Sequence, residues 1–109
     1  MTLTMKSRSE VQTMSRYNNL RSECLDDAMQ LLTGDRNMEY GEPIDNFERV
    51  ATGWSIILNA NVTPHEVALC MAWLKIARLT ETPDHKDSYT DAAGYMALGW
   101  ELVNKQAET

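Results

Sequence analysis

The amino-acid sequence predicts an all-α protein, a four-helix bundle, from three observations. Apolar residues recur at spacings of three and four over long stretches, the mark of a helix with one buried face. Each of the three prolines, Pro43, Pro64 and Pro83, stands at or just before the start of such a stretch, where its missing N–H costs nothing. Nothing alternates with period two over a useful length, so no sheet is expected.

Residues 1–18 are polar and aperiodic, and read as an N-terminal arm. Residues 19–109 read as a single helical domain. The first helix is expected from about Leu20 to Leu32, with Leu20, Cys24, Leu25, Ala28, Leu31 and Leu32 in one stripe. Thr33-Gly34 ends it, glycine suiting the left-handed position beyond a helix. The loop from Gly34 to Glu42 holds Asp35, Arg36 and Tyr40. Loops of this kind on a rigid scaffold often bind ligands, although Gly-Asp and Tyr-Gly also suit simple turns.

Pro43 opens the second helix, in which Ile44, Phe47, Val50, Ala51, Trp54, Ile57 and Leu58 form the cleanest amphipathic pattern. Its other face holds Asp45, Glu48, Thr52 and Ser55. In the third, Thr63-Pro64-His65-Glu66 spells a capping box. Val67 to Leu74 is then apolar all round, which suits the centre of a bundle or an oligomer interface. The last helix is expected from about His85 to Lys105. Tyr89, Ala92, Met96, Gly99, Trp100 and Val103 are its expected inward stripe, with Ala92, Ala93, Gly94 and Gly99 permitting close approach of a neighbour.

The 109 residues suffice for one domain. Hydrophobic residues make up 43% and charged residues 24%, ordinary for a soluble globular protein. A net charge of −6 argues against a nucleic-acid duplex as partner. It leaves a phosphate substrate open, because a few bases and a metal reverse the local sign. No apolar run approaches the ~18 residues of a membrane span. Cys24 and Cys70 sit within apolar helical patterns and no secretory segment is evident, so a cytoplasmic protein with reduced thiols is expected.

The residues with most chemical content are four acids. Asp45 and Glu48 are three apart, and Asp87 and Asp91 four apart, so each pair shares a helix face. Mg²⁺ or Mn²⁺ between two such helices would find the oxygen ligands it takes. The bland reading is a solvated acidic face, with Asp87 also favoured by the helix dipole; Asp91 lies too deep for that. Lys75 and Arg78 follow an otherwise apolar stretch. Arg78 can snorkel near the helix end, whereas Lys75 lies deeper and calls for a carboxylate or phosphate partner. Arg36 could meet a phosphate, Tyr40 could stack on a base and Asn46 could read a base edge. His65 and His85 read as first-turn surface residues, and Trp54, Trp73 and Trp100 as core.

Thr33-Gly34-Asp35-Arg36, Tyr40-Gly41-x-Pro43, Asn46-Phe47-Glu48-Arg49, Lys75-Ile76-Ala77-Arg78 and Asp87-Ser88-x3-Asp91-x2-Gly94-Tyr95 resemble a family of small phage and prophage proteins, a domain of unknown function. That family looks related to the MazG-like all-α nucleotide pyrophosphohydrolases, whose helical Glu-x-x-Glu and Glu-x-x-Asp motifs bind Mg²⁺. The resemblance implies a MazG-like bundle, dimeric or tetrameric, that converts a nucleoside triphosphate (a deoxynucleotide above all) and water into monophosphate and pyrophosphate. It puts Asp45 and Glu48 in place of the first motif and Asp91 in place of the final Asp, with Tyr95 one turn on. Glu48 would act as general base, Lys75, Arg78 and Arg36 would neutralise phosphate, and Tyr40 and Asn46 would contact the nucleoside. The sequence departs from the pattern at Ser88, where the motif has Glu and Asp87 is the nearest acid. A non-enzymatic reading therefore stands beside it: a helical phage protein that binds a host protein, or a nucleotide without cutting it.

Overall fold

A computed structural model describes residues 8–33 and 42–107. Among these the protein is all-α, four helices packed together: α1 (Arg8–Leu32), α2 (Pro43–Leu58), α3 (Pro64–Glu81) and α4 (Lys86–Ala107). Gly34, Asp35, Arg36 and Tyr40 lie outside the described residues.

Helix α1 begins twelve positions before the expected Leu20, and runs through the stretch read as an arm. The physical reason is the absence of a breaker, since no Gly or Pro occurs before Gly34. Helix α2 starts at Pro43 as expected and ends at Asn59, whose left-handed φ of 50° reverses the chain. Ser55, read as part of an outer polar face, instead stitches this turn. Its hydroxyl donates to the Ala51 carbonyl at 2.7 Å and accepts from the Val62 N–H at 2.9 Å.

The capping box of α3 is present. The Thr63 hydroxyl accepts from the Glu66 N–H at 3.2 Å, and the Thr63 N–H donates to the Glu66 carboxylate at 2.9 Å. That backbone N–H, with the Thr63 hydroxyl second, holds the Glu66 carboxyl below its ordinary 4.5. At the other end, the Tyr89 hydroxyl donates to the Pro83 carbonyl at 2.8 Å and ties down the α3–α4 loop.

Helices α3 and α4 form an antiparallel hairpin with the most extensive contact in the fold. Gly99 is buried there. A Cβ built on it would lie 3.6 Å from the Ala68 Cβ, so the absent side chain permits the approach. Helix α2 lies across one side of the hairpin, and a core forms from Phe47, Ala51, Val67, Ala68 and Leu102 with Tyr95 and Leu98 against it. Helix α1 docks on α4 through Ala28, Cys24 against Thr90, and Leu32 beside Gly94. Lys86 bridges Glu23 at 2.8 Å and Asp27 at 3.2 Å across this seam. Glu23 first, then Asp27, hold its ammonium above the ordinary 10.5.

The expected inward stripe of α4 is corrected. Gly99 is buried, but Tyr89, Met96, Trp100 and Val103 are exposed. The inward positions are Thr90, Gly94, Tyr95, Leu98 and Leu102. Trp73 and Trp100 are likewise not core, at 70% and 73% exposure, whereas Trp54 does pack on the core. Ile57 and Leu58 at the end of α2 overhang the core and stay exposed. Helix α3, apolar all round, packs against both α2 and α4 with Val67, Ala68 and Ala72 buried, and its other side, Leu69, Trp73, Leu74 and Ile76, is exposed. No described helix is long and apolar enough to cross a membrane.

Thr63→Ala should cost about 1 kcal/mol by removing the N-cap, read as a lowered midpoint in urea unfolding. Glu66 is held acidic in the fold, so its contribution is complete above 4.5 and fades as pH falls through the lowered value. Glu66→Gln should therefore flatten the loss of thermal stability below that pH. Gly99→Ala should fold normally, because 3.6 Å is ordinary methyl contact. Gly99→Leu should drive α3 from α4 and lower the melting temperature sharply.

Candidate functional site

On α3, Lys75 shares its face with Ala68 and Ala72, the residues turned toward α4. On α4, Asp91 shares its face with Tyr95, Leu98 and Leu102, which pack toward α2 and α3. The two side chains meet across the hairpin, with Lys75 Nζ 3.0 Å from Asp91 Oδ2. They retain 18% and 30% exposure. The lysine thus has the carboxylate partner that its depth in an apolar helix demanded.

The antiparallel run of α3 and α4 continues this pairing outward. One turn beyond Lys75 stands Arg78, and one turn before Asp91 stands Asp87, both exposed. Two bases on one helix and two acids on its neighbour therefore lie toward one end of the hairpin, with Lys75 and Asp91 in contact. Ser88 faces inward at 1% exposure, with its hydroxyl 2.7 Å from His85 Nδ1. His85 is thus not a bare surface residue. It closes the first turn of α4, and the Ser88 N–H donates to its carbonyl at 3.2 Å. A His three residues ahead of a Ser at a helix start is the signal that could have revealed this.

Helix α2 enters through an aromatic contact. Phe47 stacks on Tyr95 with ring centroids 6.0 Å apart and planes 24° apart. Tyr95 lies one turn from Asp91 on α4, and Phe47 lies on α2 among Asp45, Asn46 and Glu48, its neighbours in sequence. Those neighbours, Asp45, Asn46 and Glu48, are exposed. The two acid pairs do not close into a cage. Among the described residues, no three His, Cys, Asp or Glu side chains come together where they could hold a metal ion. The structure joins Asp91 to Lys75 and leaves Asp45, Glu48 and Asp87 open to solvent. Arg36 and Tyr40 lie outside the described residues.

Residues 23–103 match a family described as a domain of unknown function (DUF6378). The chain belongs to this family. The matched span takes in the last part of α1, all of α2 and α3, and most of α4, and so contains the Lys75–Asp91 pair and the Phe47–Tyr95 stack. Two phage proteins are similar to part of the chain. The Gene 55 protein of Mycobacterium phage D29 is 42% identical over 71 residues, 65% of this chain and 47% of that protein. The Gene 55 protein of Mycobacterium phage L5 is 40% identical over 72 residues, 65% of this chain and 46% of that protein. The chain thus spans about half the length of the curated relatives it matches. No solved structure matches it.

Breaking the central ion pair from one side leaves a half-buried charge, while removing both charges does not. Lys75→Met and Asp91→Asn should each destabilise the fold by about 1 kcal/mol. The double variant should lose less than the sum of the two, read from urea unfolding of all four proteins. Strict additivity would mean that the pair contributes nothing to stability.

Proposed function

We propose that the protein is a metal-dependent nucleoside triphosphate pyrophosphohydrolase, related to the MazG-like enzymes, that converts a (deoxy)nucleoside triphosphate and water into monophosphate and pyrophosphate. The observation that supports this reading is the Lys75–Asp91 pair, a base of the kind that can bind phosphate held against an acid, with Arg78 and Asp87 one turn away on the same two helices. Membership of a family whose similar relatives are phage proteins fits a role in controlling the nucleotide pool of an infected host's cytoplasm.

The described residues of one chain do not fit a closed Mg²⁺ cage. They do fit an ion that arrives with a nucleotide, since Mg²⁺ is often held by one or two carboxylates plus phosphate oxygens and water. Asp91 with Asp87, or Asp45 with Glu48, offers that number of carboxylates. The ion, Mg²⁺ or Mn²⁺, supplies positive charge that makes a water more acidic and screens the phosphates.

The protein's own contribution begins with an exchange of partners. The Lys75 ammonium leaves Asp91 for an oxygen of the triphosphate, which frees the Asp91 carboxylate. Arg78, one turn on, and Arg36 neutralise the charge that grows on the departing pyrophosphate. Glu48 accepts the proton of the water that attacks the α-phosphorus. Asn46 and Tyr40 contact the nucleoside, and Tyr95, braced on Phe47, forms an aromatic wall beside Asp91. The assembly proposed for such a bundle is a homodimer or tetramer.

A second reading is favoured by the same absence of a three-ligand cluster: a helical module that binds a nucleotide, or a host protein, without catalysis. The two readings part in one experiment. Common dNTPs and NTPs are incubated with the protein and Mg²⁺ or Mn²⁺, with and without EDTA, and the products are separated by anion exchange. Monophosphate and pyrophosphate that vanish with EDTA are expected. Glu48→Gln and Asp91→Asn should each reduce kcat by about 10²-fold or more with helicity unchanged. No turnover across the panel would leave the binding module.

A further inference from the structure

The outer side of the α3–α4 hairpin is built like a core and has no partner within the described chain. On α3, Leu69, Trp73 and Ile76 follow the spacing i, i+4, i+7 and are all exposed. On α4, Met96, Trp100 and Val103 repeat that spacing and are also exposed. The contacts place both stripes on one side. Leu69 Cδ2 lies 3.9 Å from a Cβ built on Gly99, next to Trp100, while Val67, Tyr95, Leu98 and Leu102 pack on the opposite side beneath α2. The two stripes contain no charged residue.

We infer that this face is covered by a second copy of the same chain, hairpin against hairpin across a two-fold axis. The first support is area. Trp73 and Trp100, of roughly 150–250 Å² each and 70% and 73% open, with four smaller apolar residues less exposed, present on the order of 700 Å² from one chain. That exceeds the usual patch of a monomer, and two such faces together reach the 1,200–2,000 Å² typical of a stable interface. The second support is the thinness of the chain's own core. The buried apolar residues among those described are Ala28, Phe47, Ala51, Val67, Ala68, Ala72 and Leu102, four of them alanine. A core this thin among the described residues leaves the fold stability to gain from association, and a second copy is present wherever the chain is. Two antiparallel hairpins meeting face to face complete a four-helix core across the axis.

This inference specifies the self-association proposed above and does not rest on the catalytic reading. Its test uses the full chain in sedimentation velocity over a range of micromolar concentrations. Wild type should sediment at twice 12.4 kDa, or a multiple of that, and not as the single chain. Trp73→Glu and Trp100→Glu should shift it to the single chain at concentrations where wild type is associated. Ile56→Glu and Ile57→Glu should not, although those residues are 76% and 79% exposed, because they stand at the end of α2 outside the face. The tryptophan variants could simply unfold, so iodide quenching of wild-type fluorescence provides a second reading. Most of the emission should be shielded in the associated protein, against two freely quenched tryptophans of three in a lone chain. A wild type that is monomeric throughout, with Trp73 and Trp100 open to iodide, would overturn both the face and self-association. Association that survives both tryptophan variants but is lost in Ile56→Glu or Ile57→Glu would overturn the face alone.

Discussion

The close approach of α3 to α4 is the constraint on which the rest of this structure depends. Ala68 and Gly99 remove side-chain bulk where the two helices meet. That lets Val67 and Leu102 close over the junction and gives α2 a surface to lie on. Among the described residues helix α1 reaches the bundle mainly through α4, by Ala28, Cys24 and Leu32. The ion bridges of Lys86 along that seam are exposed to solvent and screened by it, so they orient more than they hold.

The same packing creates the site. Lys75 is polar in a face of small and apolar residues, and it is tolerated because Asp91 stands opposite. The pair is therefore a structural element first. The phosphate chemistry proposed for it would require an exchange of partner, a rearrangement of one side chain. The stack of Phe47 on Tyr95 adds the second constraint, because it ties α2 to α4 one turn from Asp91.

Much of the fold was legible in the chain. Pro43, the capping box at Thr63–Glu66 and the loop at Pro83 mark three of the helix boundaries through local chemistry, which needs no distant contact. The demand of Lys75 for a carboxylate was also legible, since a charge in an apolar helix must be neutralised. Its partner was not, because spacing within α4 says only that Asp91 shares a face with Asp87. The metal set of Asp45, Glu48, Asp87 and Asp91 was an expectation from spacing alone. Acids three and four apart share a face within one helix, but the angle and depth of the two helices decide whether the faces converge, and among the described residues they do not gather three ligands.

The sequence by itself determined that the protein is helical, where α2, α3 and α4 begin, and that α3 and α4 are apolar on more than one side. Only the tertiary structure decided which side became the interior. Helix α4 carries one stripe at Tyr95, Leu98 and Leu102 and another at Met96, Trp100 and Val103, and periodicity scores both as core. A short turn joins α2 to α3, with Ser55 bound to the backbone of Val62, so α2 lies over one side of the hairpin. The first stripe was covered and the second left open, because a single short helix cannot shield both faces of a two-helix layer.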